Sequence, residues 1–497
     1  MTGNNRLVTE LDRLTALHVD GTLQDSGAAI DVVNPATEAV IARVGAASTE
    51  DFSLAIEAAR NSVDRRIWSG RSREERASVI ARMIGILAAE DEVLRETLVR
   101  EVGCPRNSMA MKVQVDAALN GPREFVEMFR HLPEEEDGGL PINSRITPSG
   151  CVVQSIRRYE PVGVVAAISA YNFPLFLSMW KVVPALLAGN SVLLRPSPLA
   201  PLTALMIGRA AQAAGVPPGV FQVLPEKGDE GGILLSTDPR VDMVGFTGST
   251  RVGKLVMAQA ATTVKRVQLE LGGKSAQIFL PDRVHLAAAA AAGVCQTLAG
   301  QGCALATRLL VPQESKAQVL AEVRELFRNI RIGDPADPTV QMGPVISSAQ
   351  RERCERYVAL AIENGGRIVT GGKRPANLDT GYFFEPTVID IADNANPVAQ
   401  EEIFGPVVTV MGYGTPEEAV GIANDSEFGL SAQIHSGDVR LALDMARRIH
   451  AGTVNVNAGV MSAHVSFGGW GASGLGRERG IDGLRVYQNL QVVNFSA

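Results

Sequence analysis

The stretch 242–254, DMVGFTGSTRVGK, decides the fold. Its apolar first half predicts a strand over Asp242–Phe246, and the glycine-rich turn that follows opens a predicted helix over Arg251–Ala261. Two glycines let the chain turn tightly there, and a helix N-terminus attracts phosphate. The spacing also resembles the phosphate loop of nucleoside triphosphatases. That interpretation fails because residue 255 is leucine, where serine or threonine must reach Mg²⁺; a glycine-rich turn that binds nothing is the other alternative.

The same strand-then-helix order surrounds this stretch. Further strands are predicted over Val162–Ile168, Ser191–Arg195, Val220–Val223 and Arg266–Glu270, and helices near Met179–Leu187, Leu202–Ala214 and Gly231–Ser236. Such alternation predicts a parallel, doubly wound sheet that is buried on both faces. Ligands of such sheets bind at the carboxyl ends of the strands. We therefore expect the loops Ser169–Pro174, Arg195–Pro198 and Thr247–Gly253 to lie along one rim.

Mainly helical sequence precedes this sheet, and a second α/β unit follows it. Capping signals at Ser48 and Ser72 predict helices that reach Arg65 and about Glu101. The Pro/Gly/Glu-rich patch 132–141 predicts a crossing between domains. After Glu270 the predicted elements are a strand at Ser275–Phe279, a helix from His285 with Cys303 near its end, a strand at Thr453–Val456 and an extended tail at Leu484–Phe495.

The composition is that of a globular enzyme with two or three domains. The chain has 497 residues, of which 46% are hydrophobic and 20% charged, and its net charge of -7 argues against nucleic acid as a partner. Five widely spaced cysteines and six histidines outside every motif predict neither a disulfide framework nor a metal site. The polar N-terminus lacks an apolar signal segment, and the most apolar stretch is too short to span a bilayer. We therefore expect a cytoplasmic protein.

One cysteine, Cys303 in the run AGQGC, has the setting of a nucleophile. A thiolate adds to an aldehyde carbonyl and later leaves readily. The carboxylate of Glu270, in the run LELGGK, could activate the water that releases the product. The small residues before Cys303 leave room for a substrate. A buried cysteine that only fills the core is the alternative.

Several motifs, in this order, resemble those of the NAD(P)-dependent aldehyde dehydrogenase superfamily from about residue 30 to the C-terminus. They are Ala170–Pro174, Phe246–Gly253, Leu269–Lys274, Gly300–Cys303, Glu402–Pro406, Phe467–Gly469 and Ser473–Glu478. The resemblance implies an α/β fold with three parts. These are a Rossmann-like dinucleotide-binding domain (1–136 and 159–269), a second α/β catalytic domain (270–470) and a small β oligomerisation element (137–158 and 471–497).

The resemblance also implies the oxidation of an aldehyde to a carboxylic acid. Cys303 would attack as thiolate, the Asn172 amide and the Cys303 N–H would stabilise the oxyanion, and hydride transfer to the nicotinamide would leave a thioester. Glu270 would then activate the hydrolytic water, whereas the CoA-acylating branch lacks this glutamate. Lys181 and Glu478 match positions linked to a proton relay, with solvated surface charges as the alternative. A CoA-acylating or reductive relative and a non-catalytic structural homologue are the rival interpretations.

Two binding sites follow from the same resemblance. The residues expected to bind the cofactor, NAD with NADP left open, are Ile168, Arg195, Ser197, Gly228, Phe246, Gly248, Ser249, Gly253, Leu271, Glu402 and Phe404. The residues expected to line the substrate pocket are Phe173, Leu177, Trp180, Met461 and Phe467, with Thr297 near its mouth. This apolar, partly aromatic lining predicts a medium-length aliphatic or aromatic aldehyde. Apolar residues at these spacings would also serve as core.

The chain departs from the family pattern in the segment expected to bind the adenosine ribose. The family usually has a lysine there and, three residues on, a glutamate that repels a 2′-phosphate; this chain has Arg195 and Pro198. We therefore hypothesise weakened discrimination against NADP, with NAD still preferred. Smaller departures are Tyr171 in place of tryptophan, Ser466 in place of proline and Gly471 in place of lysine.

Two extended segments, Gly150–Arg157 and Leu484–Phe495, match family strands that add to the sheet of a neighbouring subunit. Exposed strand edges need such cover. The resemblance thus implies a homo-oligomer, with a dimer as the minimum and a homotetramer expected. The expected partners are a small-molecule aldehyde and further copies of the chain, with no nucleic acid and no membrane.

Overall fold

A computed structural model describes residues 17–19, 22–24, 28–459 and 462–496. The strands are β1 Leu17–Val19, β2 Thr22–Gln24, β3 Ala29–Val33, β4 Val40–Gly45, β5 Glu135–Asp137, β6 Val153–Pro161, β7 Val164–Ile168, β8 Ser191–Arg195, β9 Phe221–Val223, β10 Met243–Thr247, β11 Arg266–Glu270, β12 Ala276–Phe279, β13 Arg308–Pro312, β14 Arg367–Thr370, β15 Thr387–Asp390, β16 Val407–Tyr413, β17 Phe428–Gly429, β18 Ser431–His435, β19 Thr453–Val456, β20 Trp470–Gly471, β21 Gly474–Leu475 and β22 Gln488–Ser496. The α-helices are α1 Thr49–Asp64, α2 Arg73–Ala89, α3 Asp91–Val102, α4 Met109–Met111, α5 Ala118–His131, α6 Pro174–Leu187, α7 Leu202–Ala214, α8 Glu230–Thr237, α9 Thr250–Ala260, α10 Ala287–Gln296, α11 Lys316–Phe327, α12 Ser348–Glu363, α13 Pro397–Gln400, α14 Pro416–Asn424, α15 Val439–Ala446 and α16 Gly480–Arg485.

The first sheet has the strand order β2-β1-β9-β8-β7-β10-β11-β21. Strands β7 to β11 are parallel, whereas β1 and β21 add antiparallel strands at either side. The chain winds outward from β7 through β8 to β9 and then returns to place β10 on the other side of β7. The carboxyl ends of β7 and β10 therefore form a topological switch point, the place where ligands bind in such sheets.

The strands of this sheet are apolar throughout because both faces are covered. Val165 and Ala167 of β7 face one core with α6 and α7, and Val164 and Ala166 face another with α1, α8 and α9. Successive side chains of a strand point to opposite faces, so a doubly covered strand shows an unbroken apolar run. The predicted doubly wound sheet is confirmed, and its predicted strands agree with the observed bounds within one or two residues.

The second sheet has the order β14-β15-β16-β13-β12-β18-β19 and is parallel except for β14. Helices α10 and α11 pack on one face, and α12, α14 and α15 pack on the other. The link from β11 to β12 joins the two sheets directly, through the segment 271–275. The predicted second α/β unit is therefore confirmed.

A smaller antiparallel sheet has three strands, in the order β22-β6-β5. The extended tail was predicted to begin at Leu484, and that start is wrong: Leu484 lies in helix α16. Leu484 and Tyr487 are buried in the core shared with α6, so the chain stays compact there before β22 begins at Gln488. Strand β21 pairs with β11 of the first sheet. The domain boundaries inferred from the resemblance stay a prediction.

The N-terminal helices follow their capping signals. Ser48 and Ser72 each form a capping box with an acidic residue three positions on, as predicted. The periodic segment predicted to reach Glu101 breaks at Glu90 into α2 and α3. Acidic residues at 90–92 favour the first turn of a helix over the last turn, which explains the restart. Within the part of the chain that the structure describes, no helix is both long and apolar enough to cross a membrane.

Candidate active site

The segment that joins the two sheets holds three parts of the candidate site together. A Cβ atom at Gly272 would overlap the Glu402 carboxylate, and one at Gly273 would overlap the Cys303 carbonyl oxygen. Glycine is therefore required at 273 for the Cys303 backbone to approach, and at 272 it leaves room for the Glu402 carboxylate. The Gly273 N–H also donates to Glu402 Oε1 at 3.0 Å. Glu270, Cys303 and Glu402, which the sequence predicted to act together, thus gather around one connection.

Cys303 lies in the loop between α10 and β13, just after the 3₁₀ turn Leu298–Gly300. The backbone of that turn is unusual: Leu298 and Ala299 adopt left-handed φ angles of 47° and 50°. Such strain in non-glycine residues concentrates at functional sites. Burial, together with the charges of Glu270, Glu402 and Glu478, raises the pKa of the Cys303 thiol to about 12. The site of the free protein therefore favours the thiol of Cys303 over the thiolate.

The Glu270 carboxyl is buried at the carboxyl end of β11. Neither of its oxygens has a hydrogen-bond partner among the described residues. Burial, and then the charge of Glu478, raise its pKa well above the ordinary value of 4.5. Gly468 lies so close that a Cβ there would contact Glu270 Oε1. A buried carboxyl with open oxygens and a raised pKa has the properties of a general base.

Asn172 lies in the loop after β7, at the switch point, and is buried. Its side-chain Nδ2 donates to the Gln301 backbone carbonyl at 3.0 Å, and the Asn172 backbone carbonyl accepts from Gln114 Nε2 at 2.8 Å. The Tyr171 hydroxyl donates to Gln301 Oε1 at 3.2 Å. These bonds fix the Asn172 amide against the loop that carries Cys303.

Lys181 and Glu478 form a buried ion pair, with Nζ 2.7 Å from Oε1. Lys181 is on α6, and Glu478 follows β21; their side chains are 0% and 6% exposed. The alternative that these are solvated surface charges is therefore wrong. Lys181 Nζ also lies 3.5 Å from Gln268 Oε1, two residues before Glu270 in β11. After burial, the charge of Glu478 raises the pKa of the Glu270 carboxyl, and that of Lys181 lowers it.

The predicted cofactor residues lie along the rim of the first sheet and around the joining segment. Ile168 is the last residue of β7, and Phe246 lies in β10. Gly248 comes directly after β10, and its backbone lies against the Phe246 ring. Ser249 caps α9, and Gly253 in the first turn of α9 packs against Leu271. Glu402 and Phe404 line a small cavity together with Gly273, Lys274 and Gly302.

A nicotinamide dinucleotide fits these residues. The N-terminus of α9 points its N–H groups toward the switch point, which suits a pyrophosphate. The Thr247 hydroxyl before it is buried without a partner among the described residues. Phe404, with a left-handed φ of 64°, packs edge-on against Tyr171 at 5.9 Å between ring centres. Glu402 and Phe404 stay the predicted contacts of the nicotinamide and its ribose.

Sequence reasoning missed the partner of Arg195. Arg195 ends β8, and its Nε donates to Glu226 Oε2 at 2.6 Å while another guanidinium nitrogen donates to the Gly228 carbonyl at 2.8 Å. Glu226 also accepts from the N–H groups of Gly231 and Gly232 at the start of α8. The position of Glu226 just after β9 could have indicated this role, because that end of β9 lies on the same rim as the end of β8. Ser197, also predicted here, accepts from the Leu199 N–H.

The predicted substrate residues that the structure describes lie in three places. Phe173, Leu177 and Trp180 lie at the start of α6 and in its first half, and Phe125 packs edge-on against Trp180 at 5.7 Å. Phe467 lies beneath the Arg479 guanidinium, 4.9 Å from its ring centre. Met461 lies outside the described residues. Thr297 lines a separate cavity of about 570 Å³ with Gln277 and Leu305, and the substrate pocket as a whole stays a prediction.

Comparison with known proteins assigns the class. The family model of the aldehyde dehydrogenase family matches residues 22–493. The chain is 35% identical over 466 residues to 3-succinoylsemialdehyde-pyridine dehydrogenase from a Pseudomonas species, which covers 93% of this chain and 94% of that protein.

Two solved structures share the whole fold. Betaine aldehyde dehydrogenase from Staphylococcus aureus, crystallised with NAD⁺, has a TM-score of 0.93 and 33% identity and covers 98% of this chain and 96% of its own. Aldehyde dehydrogenase C from Pseudomonas syringae, a mutant crystallised with NAD⁺ and octanal, has a TM-score of 0.89 and 34% identity and covers 97% of this chain and 96% of its own.

This chain belongs to the aldehyde dehydrogenase family. It is an oxidoreductase with the fold of that family, and its cofactor is a nicotinamide dinucleotide, NAD(P). The predicted family, fold and cofactor class are therefore confirmed.

Proposed function

We propose that this enzyme oxidises an aldehyde to the free carboxylic acid with NAD⁺, through a covalent intermediate on Cys303. The observation that carries the proposal is the close association of a half-buried thiol with a buried, unpartnered carboxyl. Glu270 raises the pKa of Cys303, and its own oxygens have no hydrogen-bond partner among the described residues. The nicotinamide of bound NAD⁺ supplies a hydride acceptor.

Cys303 is the nucleophile of this proposal. Its sulfur adds to the aldehyde carbon and forms a thiohemiacetal, and the thiol proton leaves to a nearby carboxylate. Glu270 is such a carboxylate, because a raised pKa makes it a better proton acceptor at neutral pH than an ordinary glutamate. Loss of a hydride from the thiohemiacetal carbon then leaves a thioester on Cys303.

Asn172 stabilises the oxyanion of the thiohemiacetal. One N–H of its amide is bonded to the Gln301 carbonyl, and this bond aims the amide at the Cys303 loop. The other N–H is left for the substrate oxygen, where it acts with the Cys303 backbone N–H. Donors fixed in advance cost no reorganisation during the reaction, and that is the source of their effect.

Glu270 then activates the water that hydrolyses the thioester. A free carboxylate in a buried site accepts a proton from water, and the hydroxide adds to the thioester carbon as Cys303 departs. The presence of this carboxyl supports a free acid as product over a CoA thioester. Lys181 and Glu478, buried beside Glu270, provide a route by which its proton leaves the site.

The substrate proposed is a medium-length aliphatic or aromatic aldehyde. Phe173, Leu177, Trp180 and Phe467 are apolar or aromatic and belong to the elements around Asn172 and Glu478. Similar proteins are named for betaine aldehyde and for a succinoylpyridine semialdehyde, and a mutant of another was crystallised with octanal. A neutral aldehyde should therefore be tested beside a cationic one.

We also propose a homo-oligomer, with a tetramer expected, in the cytoplasm. Strand β22 leaves one edge unpaired in its sheet among the described residues, and its side chains Leu490, Val492 and Phe495 are exposed. An apolar strand edge of this kind favours pairing with another copy. Light scattering coupled to size-exclusion chromatography measures the assembly directly; a monomer at micromolar concentration would overturn this part of the proposal.

The function is tested by initial rates of cofactor reduction with a panel of aldehydes, for the wild type and C303A. We expect activity that falls to background in C303A but persists in the matched control C151S, whose thiol is exposed. Product analysis with and without CoA separates the hydrolytic reaction from the acylating one. Activity that survives in C303A, or a product that requires CoA, would contradict the proposal.

A further inference from the structure

The first sheet carries, on its rim, an anion site that the chain fills with its own carboxylate. Glu226 accepts from Arg195 Nε at 2.6 Å, from the Gly231 N–H, and from the Gly232 N–H at 3.2 Å. Arg195 is held from its other side by the Gly228 carbonyl. The Glu226 side chain is 5% exposed and that of Arg195 14% exposed, so the pair is shielded from bulk water.

An arginine beside two N–H groups at a helix start is a standard phosphate-binding arrangement. The helix N-terminus attracts an anion through its unpaired N–H groups, and arginine adds charge-assisted hydrogen bonds. Here α8 supplies the N–H groups, and the end of β8 supplies the arginine. Glu226 therefore takes the position that a phosphate group would otherwise occupy.

This site lies where a dinucleotide presents its adenosine ribose. Strand β8 is next to β7, which forms the switch point, and in dinucleotide-binding sheets an acidic side chain near that region binds the 2′-hydroxyl, whereas an arginine accepts a 2′-phosphate. The inference rests on the NAD-dependent function proposed above. This region has an acidic residue, Glu226, and an arginine, Arg195, and the two are hydrogen-bonded to each other.

We propose that Glu226 determines the preference for NAD over NADP. Its carboxylate accepts hydrogen bonds from Arg195 and from the start of α8. The donors that a 2′-phosphate would use are therefore already occupied, and the phosphate would meet a negative charge beside them. Glu226 thereby supplies the negative charge that Pro198 cannot provide, and the weakened discrimination expected from Arg195 and Pro198 alone is offset. Glu226 is a specificity-determining residue for the cofactor and takes no part in the chemical step.

The experiment compares the binding of ADP-ribose and 2′-phospho-ADP-ribose by titration calorimetry, together with kcat/KM for NAD and NADP. For the wild type we expect the phosphorylated ligand to bind at least ~10-fold more weakly, because like charges placed together are strongly unfavourable. In E226Q the ratio of the two dissociation constants should shift by ~10-fold or more toward the phosphorylated ligand. The matched control E230Q removes an exposed carboxylate from the same helix start and should leave the ratio unchanged.

A second variant assigns the gained affinity to its cause. R195M in the E226Q background should abolish the gain for the phosphorylated ligand, because the freed guanidinium is what binds the phosphate. Equal binding of the two ligands by the wild type, or a ratio in E226Q within about twofold of the wild-type ratio, would overturn the inference. The wild-type measurement needs no variant to fold. Failure of the proposed function would be seen separately, as absent aldehyde oxidation by a wild type that still binds ADP-ribose.

Discussion

Lys181 and Glu478 are 297 positions apart in sequence, yet their charged atoms lie 2.7 Å apart in the interior. Lys181 Nζ is also 3.5 Å from Gln268 Oε1, and Gln268 is in β11 two residues before Glu270. The ion pair thus connects α6, the segment after β21 and the strand that carries the candidate base. Its charges act on Glu270, whose pKa Glu478 raises and Lys181 lowers.

We expect K181M to destabilise the protein by about 3–5 kcal/mol, because it leaves the buried Glu478 carboxylate without its partner. The double variant K181M/E478L should recover much of that loss, since two apolar side chains of similar volume need no compensation. Urea unfolding followed by fluorescence measures both. A single variant as stable as the wild type would show that the pair is solvated in solution.

The turnover rate should depend on the ionisation of Glu270. The pKa of this carboxyl is raised well above 4.5. The carboxyl becomes an effective base only as the pH rises through the raised pKa, so kcat should increase with pH. E478Q removes a neighbouring negative charge and should move the midpoint to lower pH. The pH profile of kcat measures this shift, with E417Q, at an exposed position, as control. An unmoved midpoint in E478Q would show that Glu478 does not influence the ionisation of Glu270.

E270Q should separate the two halves of the reaction. The glutamine side chain of this variant keeps the shape of the glutamate but cannot accept a proton from water, so we expect thioester hydrolysis to slow by ~10²–10⁴-fold. Stopped-flow absorbance should then show one rapid turnover of cofactor reduction, followed by a slow steady state. If the burst itself disappears, Glu270 is needed for attack by Cys303 as well as for hydrolysis.

N172A should lower kcat by ~10²–10³-fold, the usual cost of removing one oxyanion donor. The matched control is Y171F, which removes a hydroxyl bonded to the Gln301 side chain, whereas Asn172 is bonded to the Gln301 backbone carbonyl. Its effect should stay below about tenfold. Steady-state kinetics of both variants decide the role, and equal losses would mean that Asn172 only supports the Cys303 loop.

Glu101 gives a prediction for stability outside the active site. It is fully buried, accepts from the Leu202 N–H at 2.6 Å at the start of α7, and burial raises its pKa from 4.5 to about 8. The folded state therefore holds a proton that the unfolded state has lost between these values, so stability falls as the pH rises from about 4.5 to about 8.

E101Q keeps the hydrogen-bond acceptor but removes this titration. Relative to the wild type, it should gain more than about 1 kcal/mol of unfolding free energy on going from pH 5 to pH 9, since one pKa unit corresponds to about 1.4 kcal/mol. Denaturant unfolding at the two pH values measures the difference. The exposed E92Q, in helix α3 near its start, serves as the control; a gain independent of pH would point to packing.

Local signals made much of the fold predictable. The apolar residues that follow Asp242, up to Phe246, and the glycines after them predicted a buried strand and its turn, and Ser72 with Glu75 predicted a helix start. The resemblance carried by the motifs around Glu270 and Cys303 then predicted which residues would meet. The break at Glu90 was missed although the acidic residues at 90–92 are a local signal for a helix start. The helix at Leu484 was missed because it depends on the burial of Leu484 and Tyr487 in a distant core.

By itself the sequence determined the doubly wound sheet, the family, and Cys303, Glu270, Asn172 and Glu402 as the candidate residues, because periodicity, turn residues and motif spacing are local properties of the chain. Only the tertiary structure decided the buried state of Lys181 and Glu478 and the pairing of Arg195 with Glu226. It also decided the direction in which the pKa values of Glu270 and Cys303 move. These properties follow from desolvation and from charges brought close by folding, and no spacing along the chain encodes either.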